Sequence, residues 1–266
     1  MRIIQRGAGL PLVFVPGVQG RWEYARPTVD ALAKYFRVIT FSLRDRSDDF
    51  DGYGDQIGDA LDAAAVSRAA ICGLSFGGLV ALNFASRFPD RASALILTST
   101  PGPGMRLRKR HELYTRLPWI FAPLFLIEAP LRARAELKAA LPAARDRLAF
   151  GLRMLRAVVT APVSPARMAS RARLIASYDA GGACARVAAP TLIVTGEQAL
   201  DFVVKVDGSS RYAQLIPGAR SAVLERTGHQ GTLTRPDAFA AIVKSFVAGT
   251  PERDTLRSSA RFNDVA

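Results

Sequence analysis

Ala69-Ala70-Ile71-Cys72-Gly73-Leu74-Ser75-Phe76-Gly77-Gly78 is the stretch whose reading decides the fold of this chain. The four residues 69–72 form a short apolar run of the kind that makes a buried strand, and the residues after Ser75 continue at helix length to position 87. Between them stands Gly-x-Ser-x-Gly, so the serine falls on a sharp strand-to-helix turn. Such a turn forces its central residue into a strained backbone conformation, and only glycine-sized neighbours at 73 and 77 avoid a clash. The hydroxyl then projects above the strand end with a helix N-terminus aimed at it. The blander alternative is a glycine-rich turn in which Ser75 merely caps the helix.

Outward from this turn, short apolar, β-branched runs recur at 12–15, 38–41, 94–97, 191–195 and 222–224. Helix-length segments separate them, with helices expected at 23–34, 55–65, 76–87, 209–213 and 236–247. Continuous apolar strands alternating with helices predict an α/β fold, with a mostly parallel twisted sheet and helices on both faces. The chain has 266 residues, 49% hydrophobic and 22% charged. That suits one large domain, or a domain with an insertion, and excludes disorder and collagen-like repeats.

Cys72 and Cys184 are far apart, and neither sits in a Cys-x-x-Cys pair or beside a histidine. No metal, cofactor or disulfide framework is therefore expected, and two reduced, buried thiols suit a cytoplasmic protein. The longest apolar run, 119–127, falls short of the ~20 residues that span a bilayer, and no signal peptide or transmembrane segment is expected.

The formal charge of +13 is unevenly spread. Residues 101–180 hold 15 Lys and Arg against five acids, together with eight of the 16 prolines and no strand-like alternation. This composition shift marks a helical insertion, with helices expected at 143–159 and 165–177. The expected organisation is a core of 1–100 and 181–248, an insertion at 101–180 and a flexible tail at 249–266. The basic residues could steer an anionic group or an acidic carrier protein, or simply form a solvated face. Nucleic acid is not expected, because no recognition helix or aromatic stacking platform accompanies the charge.

A serine hydroxyl needs a base to take its proton, and the chain has two histidines. His229 follows the last strand-like run in Thr227-Gly228-His229-Gln230, where a loop at the carboxyl edge of the sheet can reach Ser75. His111 follows the cationic run opened by Arg106 and reads as a surface residue.

With Val13-Phe14-Val15-Pro16-Gly17-Val18, the turn at Ser75, Gly196-Glu197 after the run at 191–195, and Gly228-His229, the sequence resembles the α/β-hydrolase superfamily in its lid-bearing serine esterase branch. The resemblance spans about residues 2–248. It implies that the insertion after the strand ending near Leu97 is a lid. It also implies that the N–H groups of Val18 and Phe76 form an oxyanion hole. Pro16 stands where the family often has histidine. An acid completing Ser75 and His229 is implied after the run at 191–195 as Gly-x-x-Asp, but here Ala199 occupies that place. Asp201, two residues on, is the first candidate, with Glu197 and Asp207 as competitors.

The implied activity is cleavage of an ester, thioester or amide carrying a hydrophobic acyl or alkyl group, through an acyl-enzyme on Ser75. Trp119, Phe121 and Phe125, in the apolar stretch 118–127, are candidates to line the acyl pocket. The alternative function is a small-ligand binding protein on the same fold with weak or no catalysis.

Overall fold

The computed structural model describes residues 1–250 other than positions 46, 48 and 108, and for 125–127 it describes the backbone alone. The tail expected at 249–266 therefore lies outside the described residues beyond Thr250.

Seven strands form one sheet: β1 (Ile3–Arg6), β2 (Pro11–Val15), β3 (Arg37–Phe41), β4 (Ala69–Leu74), β5 (Ala92–Thr98), β6 (Thr191–Thr195) and β7 (Arg220–Val223). Their spatial order is β1-β3-β2-β4-β5-β6-β7, with every pairing parallel except β1 against β3. The β4 strand runs through the middle, so the residue that follows it stands at the centre of the carboxyl edge.

Around the sheet lie helices α1 (Arg26–Leu32), α2 (Phe50–Ala63), α3 (Phe76–Arg87), α4 (Lys109–Arg116), α5 (Pro118–Ala140) and α6 (Ala144–Thr160). They are followed by α7 (Pro165–Ser177), α8 (Ala180–Cys184), α9 (Val206–Ser210), α10 (Tyr212–Leu215), α11 (Gly231–Thr234) and α12 (Pro236–Ala248). All of α4 to α8 fall between β5 and β6. Among the described residues no helix is long and apolar enough to cross a membrane.

The alternation of strand side chains divides the interior into two layers. Val13, Ile39, Ile71, Leu95 and Ile193 meet α2, α3 and α8 on one face, through residues such as Ile57, Leu61, Val80 and Cys184. Leu12, Phe14, Cys72, Ile96 and Val194 meet α1 and α12 on the other, through Val29, Leu32, Phe239 and Val243. Each such side chain removed from water is worth about 1.5–3 kcal/mol, so these layers hold the sheet edge rigid beneath the site.

Several elements differ in detail from the sequence reading. The short antiparallel β1 was not among the six runs singled out. The helix expected from 23 is a 3-10 turn (Trp22–Ala25) followed by α1, because Pro27 fits the first turn of a helix but not its interior. The helix expected at 209–213 is two short segments, α9 and α10. The apolar run 118–127 is the beginning of the 23-residue α5, which continues through Pro123 and Pro130.

Candidate active site

The turn after β4 places Ser75 at φ 55° and ψ −118°, a backbone region that non-glycine residues rarely occupy. It is held there by its own N–H, which donates to the Thr98 carbonyl at 2.8 Å, and by Gly78 N–H donating to the Ser75 carbonyl at 2.8 Å. The flanking glycines are sterically required. A Cβ on Gly73 would sit 2.1 Å from the Gly77 carbonyl oxygen, and one on Gly77 would sit 2.4 Å from that of Val15. Helix α3 starts at Phe76, whose N–H, as the first of the helix, has no intrahelical acceptor.

Because β2 neighbours β4, the turn after β2 lies beside Ser75, and a Cβ on Gly17 would stand 3.5 Å from the Leu74 carbonyl oxygen. Gly20 N–H donates to the Gly17 carbonyl at 2.8 Å, closing a tight turn that carries Val18.

Two further loops meet at the ends of β6 and β7. Glu197 N–H donates to the Thr227 carbonyl at 2.7 Å, and the Glu197 carboxylate accepts from Arg226 N–H at 2.6 Å. Gly228 packs so closely on Leu200 that a Cβ there would lie 2.2 Å from its carbonyl oxygen. This packing brings His229 Nε2 to 3.1 Å from Ser75 Oγ and His229 Nδ1 to 3.4 Å from Asp201 Oδ2. The second distance is longer than a well-formed N–H···O bond, and Nδ1 has no better partner among the described residues. Such hydrogen bonds often tighten when substrate is bound.

Asp201 is itself well held, since its other oxygen, Oδ1, accepts from the N–H groups of Val203 and Val204, each at 2.9 Å. Burial acts to raise its pKa, but His229 and these two N–H donors outweigh burial and hold it below the ordinary carboxylate value. The competing acids lie elsewhere: Glu197 braces Arg226, and Asp207 accepts from the Gln198 amide at 3.0 Å. His111 contacts Arg132 at 3.2 Å, away from this cluster.

Two residues that the sequence reading did not single out reach the same loops from the stretch between β5 and β6. Glu136 on α5 is 3% exposed, and its Oε1 accepts from Gln230 N–H at 2.8 Å, one residue beyond His229. Burial pushes its carboxyl up to about 7, against the N–H groups of Gly228 and Gln230 and the nearby His229, which favour the charged form.

Arg171 on α7 is 2% exposed and donates to the carbonyls of Val18 and Gln19 at 3.1 Å and of Arg44 at 3.0 Å. It also donates to the Tyr53 hydroxyl at 3.3 Å. Both had counted only as charges within a basic stretch. The one sequence hint for Arg171 is its small neighbours, Ala169, Ser170 and Ala172, which let a helix approach closely.

The pocket candidates are placed differently. Trp119 is 68% exposed, and Phe121 is half-buried and stacked on Tyr114 with ring centroids 4.8 Å apart. The Phe125 side chain lies outside the described residues. A cleft of about 800 Å³, lined by Leu131, Arg132, Arg134, Ala135, Lys138 and Phe202, runs between α5 and the residue after Asp201. The described residues contain no cluster of His, Cys, Asp and Glu suited to a metal ion.

Comparison with known proteins agrees with this architecture. Residues 12–242 match the model of the Alpha/beta hydrolase family. The 2-hydroxymuconate semialdehyde hydrolase of Pseudomonas sp. (strain CF600) is 28% identical over 91% of this chain and 88% of its own length. The pimeloyl-[acyl-carrier protein] methyl ester esterase of Vibrio campbellii is 24% identical over 91% of this chain and 96% of its own. Among solved structures, the enol-lactonase from Burkholderia xenovorans LB400 superposes with a TM-score of 0.75 at 22% identity, covering 93% of this chain and 96% of that one.

Proposed function

Because the chain belongs to the alpha/beta hydrolase family, we propose that it is a serine hydrolase acting on an ester, thioester or amide with a hydrophobic acyl or alkyl group. Hydrolysis as the general activity is supported by relatives named as a hydrolase and as an esterase. The observation that carries the finer reading is the 3.1 Å approach of His229 Nε2 to Ser75 Oγ at the strained turn. His229 takes the serine proton as Oγ attacks the substrate carbonyl, and Asp201 keeps Nδ1 protonated and stabilises the imidazolium. The negative charge on the carbonyl oxygen falls to the N–H groups of Phe76 and Val18. His229 then returns the proton to the leaving group and activates the water that releases the acyl group from Ser75.

Under this reading the helices between β5 and β6 form a lid over the site. The cleft with Arg132, Arg134 and Lys138 on its wall supports a substrate with an anionic portion, including an acyl group presented by an acidic carrier protein.

Intact-mass labelling with a fluorophosphonate tests the proposal. Wild type should take one adduct and Ser75→Ala none. Asp201→Asn should label about three to four orders of magnitude more slowly, since the wrong imidazole tautomer is then favoured, and Glu197→Gln should slow labelling far less. A folded wild type that takes no adduct would overturn catalysis and leave small-ligand binding as the function.

A further inference from the structure

We infer that Glu136 is a positioning residue, reaching from α5 to fix the loop that carries His229. The inference rests on the serine-hydrolase reading above. Helix α5 lies in the stretch between β5 and β6, yet it packs on α11, the helix that begins just after the His229 loop. At that contact Glu136 is the buried group, and it accepts the Gln230 N–H at 2.8 Å, while the nearby Gly228 N–H favours the charged form of the same carboxylate. Gln230 directly follows His229 in the chain, so this side chain holds the backbone next to the imidazole.

A loop of this kind needs such a restraint. His229 Nδ1 stands 3.4 Å from Asp201, so the orientation of the ring also depends on how its loop is held. A misplacement of about 1 Å at a reacting group can cost around 100-fold in rate. Glu136 also adds a carboxylate facing His229 and Asp201, the titratable groups that bear on it from the neighbouring loops. Its charge favours the imidazolium that forms during attack. Arg171 treats the neighbouring loop in the same way, donating to Val18 and Gln19 from α7. The helices between β5 and β6 thus shape the site from its loops as well as cover it.

The carboxyl, pushed up to about 7 by burial, makes the restraint pH-dependent. Above pH 7 the ionised group accepts the Gln230 N–H with charge assistance. Below it, the folded chain keeps a proton that the unfolded chain releases in the ordinary glutamate range. The stability cost of the buried charge therefore grows from that range up to pH 7 and is complete above it. Glu136→Gln removes this cost, so its melting midpoint relative to wild type should be higher at pH 8 than at pH 5.

The decisive experiment measures the fluorophosphonate labelling rate of the full chain from pH 6 to pH 9, with melting curves, for wild type, Glu136→Ala, Glu136→Gln and Lys244→Ala, a control on the exposed side of α12. Glu136→Ala should label about 10- to 100-fold more slowly at pH 8. Glu136→Gln, which keeps one acceptor, should match wild type below pH 7 and fall behind above it, and Lys244→Ala should match throughout. A folded Glu136→Ala that labels at the wild-type rate would overturn the inference. If Glu136→Ala does not fold, a Glu136→Gln profile superimposable on wild type would overturn it equally. Failure of wild type to label at all would instead sink the hydrolase reading on which the inference rests.

Discussion

In the sheet layers, Val13, Ile39, Ile71, Leu95 and Ile193 are buried against apolar helix faces. In α5 and α6, by contrast, Trp119, Leu131, Leu148, Leu152 and Leu155 face solvent. Among the described residues, the positions buried in α5 to α7 are mostly alanines, namely Ala133, Ala140, Ala157 and Ala169, together with Phe150 and the two charged residues Glu136 and Arg171. The sheet is thus assembled by non-directional removal of carbon from water. The helical stretch is located by a few directional contacts whose donors and acceptors fit at one place only. The site occupies the junction: Ser75 stands on the rigid sheet edge, while the loops of His229 and Val18 are touched by the helices above. Burying a charge without a partner is costly, so Arg171, surrounded by carbonyl oxygens, fixes where α7 can sit.

Three substitutions sharpen or break this contrast. Ile71→Ala, in the middle of β4 and fully buried, should cost about 4 kcal/mol through lost transfer energy and a cavity, read from denaturant unfolding. Arg171→Ala should cost about 3 kcal/mol, because several buried carbonyls lose their donor. It should also slow fluorophosphonate labelling as the Val18 turn loosens. A stable Arg171→Ala protein with unchanged labelling would mean that α7 is held by packing after all. Leu152→Ser, on the exposed side of α6, should change stability by no more than about 0.5 kcal/mol, and a larger loss would show that this face is covered.

The pattern of strands and helices was legible because strand burial leaves a local trace. The runs at 69–72 and 192–194 are apolar at consecutive positions and belong to parallel strands buried on both faces, whereas β7, at the edge, is largely exposed. Where local signals were weak, the reading slipped. The antiparallel β1, Ile-Ile-Gln-Arg, has only two apolar residues and forms because β3 offers an unpaired edge. The apolar stretch 118–127 suggested a pocket wall, whereas composition alone could not show that it starts a long helix with Trp119 turned to solvent.

By itself the sequence determined the chemistry on offer. The glycines at 73 and 77 impose the turn at Ser75, and His229 follows the last strand-like run, because those constraints are local or ordinal, while Asp201, Glu197 and Asp207 all stood as candidate acids. Only the tertiary structure decided which carboxylates reach the histidine loop. Asp201 faces the ring, Glu197 braces Arg226, and Glu136 arrives from a helix 93 positions away from His229 in the chain. Those separations are closed by the packing of α5 on α11 and of the β6 and β7 loops on each other. A contact made by folding over such a distance leaves no pattern in the residues near either partner.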